Sequence, residues 1–176
     1  MKKHMKNGIL MLGGSLLLLA ASPALGDENA LYRAHEWSLD AFGSGSLSRY
    51  TIDHVSRARV QQNTRLGIGG GVNYFFSQNM GLGADVYAED THGSVIDSAS
   101  VNFIYRLPLG QGGFAPYLLG GGGRHFDSVK TWFAQVGAGL EYRFTPHVGV
   151  FTDLRAVVPS ETKYYGLGRV GMRFAF

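Results

Sequence analysis

Three histidines lie beside acidic or hydroxyl side chains, and such neighbours could activate a nucleophile in a hydrolase. The groups are Asp53 with His54, Asp90 with His92, and His125 with Asp127 and Ser128. Catalysis requires that the nucleophile, the base and the orienting acid converge on one reacting atom. All three groups fall in stretches that we predict to be loops. We therefore interpret these side chains as solvated and predict no catalytic residue.

Two further patterns could hold a cofactor or a metal ion. Residues 166–171 match the pattern G-x-G-x-x-G, but that pattern binds a dinucleotide only where it joins a strand to a helix. Glu89, Asp90, His92 and Asp97 could supply metal ligands, but their spacing follows no recognised metal-binding pattern. The chain has no cysteine, which excludes thiolate chemistry. We predict no cofactor, nucleotide or metal site.

The first 26 residues have the layout of a secretory signal peptide. Lys2, Lys3 and Lys6 precede an apolar run over residues 9–21, and residues 22–26 are mostly small. We expect cleavage after Gly26, a short periplasmic segment over 27–34 and a mature chain outside the cytoplasm. Without these three lysines, the 16 basic residues fall to 13 and equal the 13 acidic residues. The positive charge of the chain therefore gives no indication of a nucleic-acid partner.

Residues 35–176 alternate between apolar and polar types with a period of two, which indicates strands with one apolar and one polar face. Turn-forming residues divide this stretch into eight runs. None of them approaches the roughly 18 consecutive apolar residues of a membrane helix. In the fifth run we place Ala115, Tyr117 and Leu119 on the apolar face. The pattern predicts an all-β fold, an eight-stranded antiparallel up-and-down transmembrane β-barrel.

The residue types on the polar faces favour a membrane barrel over a soluble one. These faces carry five acids and six arginines, namely Asp40, Asp85, Glu89, Glu141, Asp153, Arg106, Arg124, Arg143, Arg155, Arg169 and Arg173. No lysine accompanies them, and arginine suits buried, bidentate pairs with carboxylates. Because the lumen of an eight-stranded barrel has room only for side chains, we predict that ion pairs fill it.

Glycines and aromatic residues follow the same division between the two faces. The glycines on the polar faces, which would make room for larger side chains from other strands, are Gly67, Gly69, Gly71, Gly83, Gly137, Gly139 and Gly171. The aromatic residues near one rim of the apolar face are Trp37, Tyr74, Phe76, Tyr105, Tyr117, Tyr142, Phe144, Phe174 and Phe176. Trp132 and Tyr164 fall near the opposite rim. Two aromatic belts around an aliphatic band are typical of a bilayer-spanning barrel.

The connections between the runs alternate in length. The short ones are residues 77–79, 108–113 and 145–147, and the others are 47–64, 90–97, 124–131 and 158–163. Outer-membrane barrels have short periplasmic turns and longer outer loops. We therefore expect both mature termini in the periplasm.

The closing stretch of residues 168–176, GRVGMRFAF, and the Pro116-Tyr117 opening of the fifth run resemble the small eight-stranded outer-membrane barrels. This group includes the membrane domain of outer-membrane protein A and the opacity-type surface proteins. The resemblance implies a location in the outer membrane of a Gram-negative cell. It also implies that Phe174 and Phe176 form part of the signal that the outer-membrane assembly machinery reads. Unlike outer-membrane protein A, the sequence shows no peptidoglycan-binding domain, and its loops are shorter than those of opacity proteins.

From these observations we expect a non-enzymatic, monomeric barrel with a structural or surface-interaction role. Two alternatives stay open. One is a lipid A-modifying enzyme, since one family of small outer-membrane barrels uses serine, histidine and an acid, and mass spectrometry of lipid A would reveal it. The other is a narrow, porin-like pore, which conductance across a planar bilayer would reveal.

Loop one, residues 47–64, is the longest connection, and long loops on rigid barrels usually carry function. It contains Arg49, Arg57 and Arg59 against the single acid Asp53. The loop is either a solvated extension that keeps the rim soluble or a contact with the phosphates of the surrounding lipopolysaccharide, which arginine binds in a bidentate manner.

If loop one binds lipopolysaccharide, replacing Arg49, Arg57 and Arg59 by alanine should remove most of the stabilisation that lipopolysaccharide gives the refolded barrel. The wild-type gain should shrink with salt, because exposed charges are screened within about 10 Å at 0.1 M ionic strength. The measurement is the urea midpoint of unfolding with and without lipopolysaccharide. An equal gain for both proteins would show that loop one does not bind the phosphates.

Overall fold

The computed structural model describes residues 30–48, 63–89, 96–110, 112–126, 130–160 and 164–176. The predicted signal peptide lies outside the described residues. So do the loop residues Arg49, Asp53, His54, Arg57, Arg59, Asp90, His92, Asp127 and Ser128. In the described part of the chain, no helix is long and apolar enough to cross a membrane.

Eight antiparallel strands form one closed barrel, which confirms the predicted fold class. The strands are β1 (Glu36–Ser48), β2 (Asn63–Phe75), β3 (Met80–Glu89), β4 (Ser98–Arg106), β5 (Phe114–His125), β6 (Trp132–Arg143), β7 (Val148–Pro159) and β8 (Tyr165–Ala175). Each strand pairs with its neighbours in the sequence, and β8 pairs with β1 to close the sheet. Their lengths of 9–13 residues suit a tilted transmembrane strand, which needs about 9–11 residues.

The strand ends define two rims with different connections. The short connections β2–β3, β4–β5 and β6–β7 lie at the same rim as the start of β1 and the end of β8. The backbones of Trp37 and Phe176 exchange two hydrogen bonds at this rim, with N···O distances of 3.2 and 3.0 Å. We call it the periplasmic rim and the opposite one the outer rim.

Alternation along the strands places large apolar side chains outside the barrel and most polar ones inside. On β2, Leu66 and Ile68 point outward and expose 77% and 74% of their surface, whereas Phe75 points inward and is fully buried. Aromatic rings gather outside the periplasmic rim, where Trp37 packs on Tyr74 with ring centroids 4.8 Å apart. Phe114 and Tyr142 form a similar pair at 4.6 Å. These rings form a belt of the kind found at a membrane interface.

The predicted orientation of β5 is wrong. Ala115, Tyr117 and Leu119 point into the lumen and are at most 4% exposed, whereas Arg124 points outward. The sequence misleads here because β5 is apolar on both faces and then continues into a run of four glycines, residues 120–123. The alternation of residue types therefore does not show which side chains of β5 face the lumen. Inside the barrel, Tyr117 and Leu119 pack with two other apolar side chains near the periplasmic rim.

Inward-facing glycines make room for large lumen side chains, as predicted. A Cβ atom added at Gly139 would lie 2.4 Å from Cζ of Tyr117, and one added at Gly137 would lie 2.9 Å from Cγ of Arg155. Real Cβ atoms do not approach other atoms so closely, and both positions also face backbone oxygens at 2.6 Å. Side-chain sizes on neighbouring strands are therefore complementary inside the lumen, because a glycine on β6 faces a bulky side chain on β5 or β7.

Deletion of Phe176 should reduce the amount of folded barrel in the membrane without preventing export. The deletion removes the two backbone hydrogen bonds to Trp37 and an exposed ring of the aromatic belt. Phe176→Tyr keeps both features and should behave like wild type. The measurement is the heat-dependent gel shift of the membrane fraction. Equal folded amounts for wild type and deletion would contradict the assembly role of Phe176.

Candidate functional site

The lumen holds two connected groups of ion pairs. The first, which we call the periplasmic cluster, contains Glu36, Arg106, Arg143, Glu141, Arg173 and Asp40. The second, the central cluster, contains Asp85, Asp153, Arg155 and Arg169. The side chains of all ten are at most 8% exposed.

Glu36 organises the end of the periplasmic cluster that is nearest the rim. Its Oε1 accepts hydrogen bonds from NH1 of Arg106 at 2.9 Å and from NH2 of Arg143 at 2.7 Å. Its Oε2 accepts a further bond from NH1 of Arg143 at 2.9 Å. The guanidinium of Arg143 also donates from Nε to Oε1 of Glu141 at 2.6 Å. One carboxylate on β1 thus connects arginines on β4 and β6 across the barrel.

Arg173 joins this group to the seam at which the barrel closes. Its guanidinium binds Asp40 in bidentate fashion, with Nε to Oδ1 at 2.8 Å and NH2 to Oδ2 at 2.7 Å. Asp40 lies on β1 and is directly paired with Arg173 in the β1–β8 register. The third nitrogen, NH1, donates to Oε2 of Glu141 on β6 at 2.5 Å. Arg173 therefore binds the closing strand pair to the far wall.

The central cluster crosses the lumen from β7 and β8 to β3. Arg169 donates from NH2 to Oδ2 of Asp153 at 2.6 Å, and Arg155 donates from Nε to Oδ1 of the same residue at 3.1 Å. Both guanidiniums also lie within salt-bridge distance of Oδ2 of Asp85, at 3.2 Å for Arg155 and 3.4 Å for Arg169. The hydroxyl of Tyr117 donates to Oδ2 of Asp153 at 2.9 Å.

Aromatic rings lie between the two clusters. Phe42 and Phe151 meet edge to face, with centroids 6.3 Å apart. The guanidinium of Arg169 lies 4.4 Å from the centre of the Phe42 ring, and that of Arg173 lies 5.0 Å from the centre of Phe151. Such cation–π contacts are strongest where water is excluded. The rings therefore fill the space between the charges and stabilise them as well.

The segment before β1 covers the periplasmic end of the lumen. Tyr32 is 4% exposed, and its hydroxyl donates to the carbonyl oxygen of Gly113 at 2.7 Å. Its ring lies 4.8 Å below the guanidinium carbons of both Arg106 and Arg143. Burial, reinforced by the charge of Glu141, raises the pKa of Tyr32 well above its usual value, so the hydroxyl stays protonated and keeps donating.

The outer end of the lumen contains a chain of hydroxyl groups around His125. Its Nδ1 lies 2.5 Å from Oγ of Ser98, and its Nε2 lies 3.3 Å from the hydroxyl of Tyr165. That hydroxyl lies 3.4 Å from the hydroxyl of Tyr87. Among the described residues, the serine that contacts this histidine is Ser98, which comes from the neighbouring strand. The pair faces the lumen, whereas a membrane lipid would contact the outside of the wall.

The structure brings most of the predicted interior residues together, but two placements differ from the sequence analysis. Arg124 points outward and takes no part in the lumen. Glu36 was missed, although extending the alternation of β1 by one residue places it inward beside Ser38 and Asp40. Glu89 points inward and accepts a hydrogen bond from Oγ of Ser46 at 3.1 Å. Over the described strands, the inward-facing positions therefore carry six acids and six arginines, because Arg65, exposed at the outer end of β2, lies on the inner face beside Ser46.

Histidine and acidic side chains do not group into a metal site in the described ranges. The carboxylates of both lumen clusters are already bonded to guanidiniums, which compete with any cation for the same oxygens. The two lumen clusters can hold strands together, but their carboxylates are not available as ligands for a metal ion.

Comparisons with known proteins are consistent with this architecture. The sequence profile of the family described as outer membrane protein beta-barrel domain matches residues 15–161. A comparison with curated proteins gives no significant match.

Several solved structures share the fold. The N-terminal β-barrel domain of Pseudomonas aeruginosa OprF is 21% identical, with a TM-score of 0.60 over 82% of this chain and 99% of that one. Neisserial surface protein A is 14% identical, with a TM-score of 0.58 over 80% and 97%. Ail, the attachment invasion locus protein of Yersinia pestis, is 17% identical, with a TM-score of 0.53 over 81% and 99%. Identities this low support a common fold alone.

Removal of one acid from either lumen cluster should destabilise the barrel strongly. Asp153→Ala or Asp40→Ala removes one of the two carboxylates that bind each affected guanidinium, and the buried positive charge that is then uncompensated costs roughly 3–5 kcal/mol in the free energy of unfolding. Asp53→Ala, in the predicted loop one, should change it by less than about 0.5 kcal/mol. The measurement is urea unfolding in detergent micelles or bilayers. Equal midpoints for the three variants would show that the buried pairs do not hold the barrel together.

Proposed function

Because the chain belongs to the outer membrane protein β-barrel family, we propose that it is a monomeric, non-enzymatic barrel with a sealed lumen and surface-interacting outer loops. We further propose that residues 1–26 are removed during export and that the assembly machinery inserts the mature chain through its last strand. The closed sheet supports the monomer, since it has no free edge strand for a second copy to extend.

The observation that carries the proposal of a sealed lumen is the connection of ion pairs from wall to wall. Arg173 reaches from β8 to carboxylates on β1 and β6, and the pair of Arg155 with Asp85 reaches from β7 to β3. Charges that are separated from water need such partners. If one of them moved to let a solute pass, the others would stay buried without a counter-charge, which is energetically costly. The buried rings of Phe42 and Phe151 occupy the space between.

The segment before β1 supports the same proposal at the periplasmic end. NH1 of Arg143 donates to the carbonyl oxygen of Leu31 at 2.9 Å, and NH2 of Arg106 donates to that of Arg33 at 3.2 Å. A solute that entered the barrel from this side would have to displace Tyr32 and these bonds. The geometry therefore favours a structural barrel over a narrow pore.

The enzyme alternative has less support from the geometry. A lipid A-modifying site needs its nucleophile at the lipid-facing surface, whereas Ser98 is 1% exposed and bonds to His125 inside the barrel.

For the surface interaction we propose an anionic partner, the phosphates of lipopolysaccharide. The arginines of the predicted loop one supply the positive charge. Ail of Yersinia pestis, which shares the fold, has been crystallised with the heparin analogue sucrose octasulfate. A rigid barrel of this type is thus compatible with binding a highly charged anion.

Conductance across a planar bilayer tests the sealed lumen. The wild-type barrel should show no discrete opening steps. The double variant Asp85→Ser, Arg155→Ser removes one bonded pair without leaving a net charge, while Asp153 keeps Arg169, so it should fold and leak ions. Discrete wild-type channels of stable conductance would contradict the proposal. A folded double variant that shows no conductance would show that this pair does not seal the lumen.

A further inference from the structure

One charged side chain points outward from the described strands. The outward positions of β1 to β8 carry aliphatic, aromatic and small residues, with Thr152 and Arg124 as the polar exceptions on described side chains. Thr152 satisfies its hydroxyl by donating to the carbonyl oxygen of Arg169 at 3.0 Å. A guanidinium on a lipid-facing wall is costly unless it reaches the interface or a counter-charge. The position of Arg124 therefore needs an explanation.

Arg124 lies near the outer rim beside an interfacial tryptophan. It is the second-last residue of β5 and is directly paired with Trp132, the first residue of β6. Its guanidinium carbon lies 5.4 Å from the centre of the Trp132 ring. The indole holds the guanidinium at the level where a bilayer changes from acyl chains to headgroups. The planar donors of arginine suit the oxygens of a phosphate group at that level.

A groove of about 740 Å³ runs across the outer surface of the wall next to Arg124. Small outward-facing residues line it, among them Gly70, Ala84 and Gly122, and the larger Phe126 and Trp132 border it near the outer rim. This volume falls within the range of about 300–1,000 Å³ that is usual for ligand sites. The groove is overwhelmingly apolar at its surface, so it suits a hydrocarbon chain, while the one cation lies at the end that faces the headgroups.

We propose that Arg124 and this groove form a binding site for lipid A, the phosphorylated glycolipid anchor of lipopolysaccharide. The guanidinium binds a lipid A phosphate over the Trp132 ring, and one acyl chain lies in the groove. The site rests on the proposed placement of the barrel in the outer membrane, but it is independent of loop one.

Charge complementarity selects lipid over a second copy of the chain. The outward faces of the described strands carry no carboxylate, so the wall of a second barrel offers no counter-charge to Arg124. A phosphorylated lipid supplies the anion and the hydrocarbon in one molecule. The groove runs from Arg124 at the outer rim towards the middle of the wall. An acyl chain of such a lipid runs in the same direction, from its headgroup into the bilayer.

The two tryptophans of the chain provide a direct measurement. Trp37 lies at the periplasmic rim, so the Trp37→Phe variant leaves Trp132, beside Arg124, as the single fluorescent indole. Titration of this folded variant in detergent micelles with lipid A should give a saturable change in fluorescence. Adding Arg124→Gln should weaken the affinity about tenfold or more, since bonds between charged groups contribute most to such contacts. Arg65→Gln, an exposed arginine at the outer end of β2, is the matched control and should leave the affinity unchanged.

A second pair of variants tests the groove separately from the charge. Ala84→Phe fills the groove and should also weaken lipid A binding, whereas Ala156→Phe makes the same change on the outward face of β7 and should not. Folding of each variant is checked by its heat-dependent gel shift. Lipid A without phosphates should bind poorly to wild type.

Three results would overturn the site. They are equal affinity for wild type and Arg124→Gln, equal affinity for phosphorylated and dephosphorylated lipid A, and equal affinity for phosphatidylglycerol and lipid A. The last would mean a general anionic-lipid contact. Because the titration uses purified barrel, its failure is distinct from a failure of the proposed location, which membrane fractionation of cells tests.

Discussion

The width of an eight-stranded barrel is the constraint on which the rest of this structure depends. Such a lumen holds side chains and little else, so every charge that points inward is separated from bulk water and must find a partner there. The protein meets this requirement with guanidiniums that each bind two or more acceptors. Arg173, which bonds to Asp40 and Glu141, illustrates the result: the charge is satisfied only if β1, β6 and β8 are all in place. Ion pairing and closure of the sheet are therefore one cooperative event.

The narrow lumen also limits the sizes of the side chains that point inward. Large lumen side chains such as Tyr117 and Arg155 fit only because glycines on β6 give up the space opposite them. The outside of the wall has no such requirement, since a fluid bilayer adapts to its shape. Inward positions therefore depend on one another, and outward positions need only remain apolar and aromatic at the proper depth. Substitutions inside the barrel should show coupled effects, whereas those outside should be nearly additive.

Alternation was sufficient to predict the fold because the outward positions are so uniformly apolar. Seven of the eight strands have a polar or glycine-rich inner face that fixes their phase, as Asp85 does on β3. β5 failed because Tyr117 and Leu119 fill the lumen with apolar volume, so the strand lacks the contrast on which the prediction relied. Glu36 was missed for a different reason: strand ends are the least certain part of any pattern. Which acid meets which arginine could not be predicted, because those pairs depend on the register of strands distant in sequence, as the contact of Glu36 with Arg143 does.

The two faces of the wall use arginine in opposite ways. Inside, the described arginines bind carboxylates of the same chain, so their charges are cancelled by the fold and are unavailable to a ligand. Outside, Arg124 has no acid to bind on the described outward faces, so the described strands do not neutralise its charge. A charge that the fold does not neutralise contributes to stability only when the surroundings supply the counter-charge. For this barrel the surroundings are the membrane itself, so the identity of the lipid, rather than of a soluble ligand, determines whether that position stabilises the protein.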